Sequence, residues 1–363
     1  MILITISLCM IVKNEEKLLG RALSSIAPAV EEIIIADTGS CDKTKEIAKK
    51  YGAKIFDFPW QDSFCQARNF SFSKASMDYC MWMDADDWLP SDSLQKLLDL
   101  KASLAPQTHV VMLPYACGFS QDDTPSLVYF RERIIKNHAG FSWEGLVHEC
   151  ITPRGNIIYG DAQIWHLPPN DQCHTLRNLK IYEKAQRLCL PFGPRDRFYY
   201  GRELMSAGRY SQAIPLFTDV IEDDNAWKEN RIQACADLSA CFLSQNNPSQ
   251  ALEALFKSFV FDCPRAHILC DLGDIFRERA QYSQAIFWYE LALTCKEDQK
   301  SGAFIRKDCY GYYPCVCLCV CYHAIGDLEN ALKYHKKSGQ WHKNTREYLH
   351  NEAYFQNLQR SAK

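Results

Sequence analysis

Three carboxylates within four residues, Asp84-Ala85-Asp86-Asp87, close the apolar run Tyr79-Cys80-Met81-Trp82-Met83. An apolar run that stops abruptly in acid reads as a buried strand delivering carboxylates to its C-terminal edge. In open α/β sheets that edge is where ligands bind. Crowded carboxylates raise one another's pKa unless a cation sits among them. Hard oxygen ligands of this kind suit Mg²⁺ or Mn²⁺, ions usually completed by substrate phosphates. The tetrad therefore points to an enzyme that handles a diphosphate-bearing substrate through a divalent metal. The plainer alternative is a solvated acidic turn ahead of a helix at Pro90-Ser91-Asp92. The buried strand before the tetrad weighs against it.

The elements that must position these groups alternate in the first half. Strand-like runs are Ile4–Ile11, Glu32–Ala36, Lys54–Phe58, Tyr79–Met83 and Val110–Pro114, with amphipathic segments such as Leu18–Ile26 and Lys43–Tyr51 between them. This βαβα order predicts a mainly parallel sheet with helices on both faces. Gly39 marks a strand-to-helix crossing, with Asp42 or Ser40 as the N-cap.

After Pro168-Pro169-Asn170 the rhythm becomes helical and repeats itself. Ala207-Gly208-Arg209-Tyr210-Ser211-Gln212-Ala213 and Gln281-Tyr282-Ser283-Gln284-Ala285 share one frame with Asn247–Leu252 and Gly326–Leu332. The aligned alanines Ala213, Ala251, Ala285 and Ala331 stand 38, 34 and 46 residues apart, the tetratricopeptide rhythm of stacked helix pairs with loop insertions. The expected organisation is an α/β domain over 1–170 and an all-α repeat domain over 171–363.

A net charge of −3 and a pI near 6.4 give no reason to expect nucleic acid as a partner. The apolar start Ile2–Val12 lacks a basic flank and reads as a first strand, and no run reaches the length of a membrane span. The expected location is the cytoplasm. Eighteen cysteines are many, but Cys80, Cys241 and Cys270 lie among apolar residues as small core side chains. In a helix the spacing of Cys315, Cys317, Cys319 and Cys321 points the thiols to different sides, so they are not expected to share a metal.

The first half resembles the inverting family 2 glycosyltransferases of GT-A fold. The resemblance rests on Ile6–Glu16, on Asp37-Thr38-Gly39-Ser40-Cys41-Asp42-Lys43-Thr44, on Phe64-Cys65-Gln66-Ala67-Arg68-Asn69, on Asp84-Ala85-Asp86 and on Phe141–Glu149 with its Val147-His148-Glu149 ending. With the repeats added, the chain is similar to the branch that holds sublancin-type peptide S-glycosyltransferases and lipopolysaccharide-core glucosyltransferases. Asp87 stands where that pattern often has Glu.

The resemblance implies a UDP-sugar donor, UDP-glucose or UDP-N-acetylglucosamine, bound by Ile11, Lys13, Glu15, Asp37, Arg68, Asp84, Ala85 and Asp86. Asp37 would accept the uracil imide N–H, and Arg68 would meet the diphosphate or a uracil carbonyl. Asp86, Asp84 and His166 would hold Mg²⁺ or Mn²⁺. Glu149 or His148 would be the base, with Glu144 a further candidate, and Trp143 either stacks on a sugar or is buried core. The expected reaction is metal-dependent, inverting transfer of a hexose to a Cys thiol or Ser/Thr hydroxyl of a peptide. The alternatives are a lipopolysaccharide or cell-surface glycan acceptor, or a non-catalytic tetratricopeptide adaptor. The repeats could hold the acceptor or a second copy in a homodimer.

Overall fold

The computed structural model describes residues 4–119, 125–168, 176–298, 302–303 and 305–361; Pro169 and Asn170 of the expected link lie outside them. The chain divides into two compact units, Met1–Glu203 and Leu204–Lys363.

In the first unit, β1 (Ile6–Val12), β2 (Glu32–Asp37), β3 (Lys54–Asp57) and β4 (Tyr79–Trp82) run parallel in the order β3-β2-β1-β4. These are four of the runs expected from the sequence, each within two residues at either end. β1 is buried on both faces, so it is apolar at nearly every position rather than alternating. On one face Ile6, Leu8 and Met10 pack with Leu19, Ala22, Leu23 and Ile26 of helix α1 (Leu19–Ile26). On the other, Cys9, Ile34 and Cys80 meet Phe72, the last residue of α3 (Phe64–Phe72). Between them in the chain, α2 (Thr44–Lys50) has Lys43 rather than the expected Asp42 or Ser40 at its N-cap, although Asp42 Oδ1 accepts the Thr44 N–H at 3.0 Å. Helix α4 (Ser91–Ser103) follows the tetrad.

The sheet continues antiparallel past β4. β7 (Pro125–Lys136) pairs with β4 and with β6 (Val110–Phe119), and short β8 (Ile157–Tyr159) and β9 (Ile164–His166) run parallel to β6. A two-residue strand β5 (Asp87–Trp88) pairs with β9, which sets Asp87 opposite His166. The reading from sequence had no β7. Arg131-Glu132-Arg133 breaks its apolar pattern, yet Glu132 and Arg133 are buried.

The first unit runs on to Glu203, past the expected end at 170, because α5 (Arg177–Arg187) and α6 (Pro194–Ser206) are tied to the loop at 144–149. Tyr182 donates to the Val147 carbonyl at 3.2 Å, Arg195 Nε to the His148 carbonyl at 2.9 Å, and the Leu146 N–H to Asp196 Oδ1 at 3.1 Å.

The second unit is the expected helical repeat. Helices α7 (Tyr210–Glu222), α9 (Pro248–Lys257), α11 (Tyr282–Ala292) and α13 (Leu328–Ser338) carry Ala213, Ala251, Ala285 and Ala331, all fully buried. Each alanine follows by five residues a left-handed residue, Gly208, Asn246, Ala280 or Gly326, so one turn geometry recurs. α8 (Lys228–Ser244), α10 (Ala266–Glu278) and α12 (Tyr312–Ala324) are the partners that lead into the last three turns. The four cysteines of α12 are buried core, and burial pushes the thiols up to about 11 or 12.

Ala280 is the costly member of the turn set, since a Cβ disfavours left-handed backbone. Ala280→Gly should stabilise the protein by about 0.5–1 kcal/mol after the added freedom of the unfolded chain is subtracted, read by urea unfolding.

Candidate active site

The C-terminal ends of β1, β2 and β4 place the groups of interest at one edge. Val12 and Asp37 are register partners, and the loops that follow interlock. The Asn14 N–H donates to Ser40 Oγ at 3.0 Å, Asn14 Oδ1 accepts the Cys41 N–H at 2.8 Å, and the Glu15 N–H donates to Thr44 Oγ1 at 2.7 Å. Asn14 takes the left-handed backbone that this residue type tolerates. Asp37 is buried. Its Oδ1 accepts the Gly39 and Ser40 N–H groups at 3.0 and 2.9 Å, while Oδ2 is buried with no hydrogen-bond partner. Burial pushes this carboxyl up, but Ser40, Gly39 and Lys45 outweigh it and hold it below the usual range. An ionised carboxylate with one orphan oxygen at a strand end fits an N–H donor such as a uracil imide.

At the end of β4 the tetrad splits. Asp84 Oδ1 lies 2.7 Å from Arg68 Nη2, and Arg68 Nε meets Glu149 Oε1 at 2.5 Å. The Arg68 guanidinium is buried against the Trp82 and Trp143 rings, 4.9 and 4.7 Å from their centroids. Asp87 turns inward. It accepts from Arg133 Nη1 at 3.0 Å and the Tyr115 hydroxyl at 2.9 Å, and its Oδ2 accepts the Asp84 N–H at 3.0 Å. Burial would push Asp87 up, but Arg133 and His166 hold it at about 2.

Asp86 has no such neighbour. His166 Nδ1 lies 3.4 Å from Asp86 and 3.3 Å from Asp87, and the three side chains converge closely enough to hold a metal ion. Burial raises Asp86; His166 opposes, but Asp84 and Asp87 add to the rise and leave it at about 6. His166 itself is raised: burial lowers it, and the carboxylates more than reverse that. A carboxylate and an imidazole short of positive charge fit a hard divalent cation.

The structure thus brings Asp86 and His166 together as expected, but Asp84 is not in that group. Arg68 holds it, and Asp87 completes the triad in its place. Arg68 is likewise spent on Asp84 and Glu149 rather than open to a diphosphate. Ile11 is half-buried and Ala85 buried, while Lys13 is exposed. Glu15 is half-buried, and burial with the charges of Asp86, Asp84 and Asp42 pushes it up to about 7 despite Arg177.

Of the three base candidates, Glu144 and His148 are exposed and Glu149 is buried. Burial raises Glu149, but Arg68 outweighs it and holds the carboxyl below the usual range, which makes it a poor base. Trp143 is core, edge-on to Trp82 at 5.1 Å. Arg133 and Tyr115 went unnoticed in the sequence. The signal was there: paired charges inside an otherwise apolar run, placed to neutralise the tetrad from behind.

Removing Arg68 would leave Glu149 buried and unpaired, so Arg68→Met should destabilise by about 3–5 kcal/mol. Arg68→Met/Glu149→Leu should recover much of that loss in denaturant unfolding. The Asp86 shift has a definite sign. A carboxyl whose folded pKa lies above its unfolded value binds the extra proton in the folded state, so its contribution to stability falls as pH rises from about 4 through about 6. A cation relieves that penalty only once the proton has left. Mn²⁺ should therefore raise Tm little at about pH 5 and clearly at about pH 7.5, and Asp86→Asn should abolish the difference.

With this geometry in place, comparison with known proteins is informative. Residues 7–153 match glycosyl transferase family 2. Glycosyltransferase SunS of Bacillus subtilis is 26% identical, over 67% of this chain and 60% of its own length. A lipopolysaccharide core biosynthesis glycosyltransferase, LpsC of Rhizobium meliloti, is 29% identical over 51% of this chain and 72% of its own. A TPR repeat-containing protein of Synechococcus elongatus is 39% identical over 31% of this chain and 30% of its own. The chain thus spans only 30% and 60% of the TPR protein and SunS. The segment that carries Asp37, Arg68, the tetrad and Glu149 lies within the match to glycosyl transferase family 2 and has an α/β fold.

Proposed function

We propose that the chain is a metal-dependent, inverting glycosyltransferase that moves a hexose from a UDP-sugar to a peptide side chain, a Cys thiol or a Ser/Thr hydroxyl. The observation that carries this reading is the pairing of two unmet demands at the ends of β2 and β4, the strands that flank β1. Asp37 Oδ2 lacks a donor and Asp86 lacks a cation. A uridine diphosphate with its divalent ion answers both.

Asp37 would take the uracil N–H. Asp84, still half-exposed beside Arg68, would face the ribose. Asp86 and His166 would hold Mg²⁺ or Mn²⁺, which when bound supplies positive charge to the leaving diphosphate. The acceptor atom bonds to the anomeric carbon from the opposite face, its proton passes to a base, and the C1–O bond breaks with its electron pair leaving on UDP. Inversion follows from that single displacement.

A peptide acceptor is supported by the reach of the SunS alignment. At 67% of the chain it is longer than the 203 residues of the first unit, so the likeness extends into the helices of the second. A lipopolysaccharide or other glycan acceptor is the second reading, favoured by the likeness to LpsC. A non-catalytic adaptor fits less well, because it leaves the charge deficit at Asp86 without a purpose. The long helical face of the second unit is the natural place for an acceptor or a second copy. No described helix is long and apolar enough to cross a membrane.

UDP release from UDP-glucose and UDP-N-acetylglucosamine with Mn²⁺ tests the reaction, and EDTA should stop it. Asp86→Ala should abolish release while the protein stays folded; wild-type turnover by that variant would reject the metal site. Asp37→Ala should weaken UDP binding by about 1.5–3 kcal/mol in calorimetry, the scale of a hydrogen bond to a charged group.

A further inference from the structure

His148 sits in left-handed backbone at φ 55°, uncommon for a non-glycine residue although histidine is among the types that adopt it. Helices α5 and α6, beyond residues 7–153, hold it there through the hydrogen bonds to Leu146, Val147 and His148 already described. They also hold the side chain. The imidazole stacks on Tyr199 with ring centroids 4.3 Å apart and planes at 19°, and Nε2 lies 2.9 Å from Glu203 Oε1. Glu203 accepts a second hydrogen bond from Asn178 Nδ2 at 3.1 Å. Burial raises the Glu203 carboxyl, but His148, Asn178 and Arg202 outweigh it and keep it ionised.

An ionised carboxylate can only accept, so Nε2 carries the hydrogen, and in the neutral ring the lone pair is on Nδ1. Among the described residues Nδ1 has no hydrogen-bond partner, and the side chain is 40% exposed. The next residue, Glu149, is fixed on Arg68, which holds Asp84. Through this ion pair the loop that carries His148 is joined to the tetrad.

We propose that His148 is the base of the transfer and that Glu203 is its positioning residue, fixing the tautomer that leaves Nδ1 open to the acceptor. This rests on the UDP-sugar reading above. As the acceptor O–H or S–H attacks the anomeric carbon, its proton passes to His148 Nδ1, and the resulting imidazolium is stabilised by Glu203 at Nε2. The other charged or titratable groups around the ring are Tyr199, Arg195 and Arg202 of α6, Arg131 of β7, and Glu144 and Glu149 of its own loop.

The test uses the full chain with Mn²⁺ and UDP-glucose or UDP-N-acetylglucosamine, water serving as the acceptor and UDP release as the readout. His148→Asn keeps a residue that tolerates left-handed backbone. It should lower kcat by roughly 10²–10⁴-fold, the usual scale of general-base catalysis, with the donor KM little changed. Glu203→Gln should lower kcat less and move the acid limb of the kcat/KM profile to lower pH, since an imidazolium loses its neighbouring carboxylate. Glu203→Asp should restore part of both. Nitrogen NMR of the imidazole, independent of turnover, should show the Nε2–H tautomer in the wild type and a mixture in Glu203→Gln. Undiminished turnover in His148→Asn, an unmoved pH profile in Glu203→Gln, or an Nδ1–H tautomer would each overturn the proposal. Calorimetry that finds no UDP binding would instead overturn the donor reading, and the base with it.

Discussion

The site depends on a charge balance set behind the sheet edge. Asp84, Asp87 and Glu149 converge there with Asp86, and the protein neutralises three of the four with two buried guanidiniums. Arg68 takes Asp84 and Glu149, and Arg133 takes Asp87. Both cations lie against the ring of Trp82, the last residue of β4, at 4.9 and 3.6 Å from its centroid. A guanidinium keeps its charge when buried, and its flat faces accept aromatic contact. The same tryptophan that ends the strand thus seats the counterions of the residues that follow it. Asp86 is left with His166 alone, so the whole deficit is concentrated at one half-buried corner.

The same economy holds for the loops. The segments after β1 and β2 fix each other through Asn14, Ser40, Asp42 and Thr44, and need no helix from elsewhere. The loop at 144–149 cannot do this. Its backbone is left-handed at His148, its own bridge joins only Glu144 and Cys150, and its groups are satisfied by α5 and α6. A sheet cut at residue 170 would lose that support. This is the physical reason the first unit extends to Glu203.

Most of the parallel sheet was legible because β1, β2 and β4 are buried on both faces and read as largely apolar runs. The repeats were legible through small residues in a fixed frame. What escaped was of another kind. β7 hid because Glu132 and Arg133 are polar in type but buried in place. In the sequence Asp87 reads only as standing where Glu is frequent, because composition cannot say which of three neighbouring carboxylates turns inward. Its inward turn follows from β5 pairing with β9, a contact between residues far apart in the chain. Arg68 was legible as important, but its engagement with Glu149 needs a partner 81 residues away.

Among the local costs in the folded unit are an orphan oxygen on Asp37, a raised carboxyl at Asp86 and left-handed backbone at His148. Each costs stability by a different route, and nothing in the packing of the sheet requires any of them. Ordinary surface acids could have been left solvated, and an asparagine or glycine would sit more easily at 148. Such costs persist where the surrounding structure over-determines them, as the interlocked loops, the two arginines and α6 do here. A nucleobase donor, a divalent cation and an acceptor proton are the partners that would answer them in turn. At Asp37, Asp86 and His148 the deviations fall on groups that the proposed transfer would use.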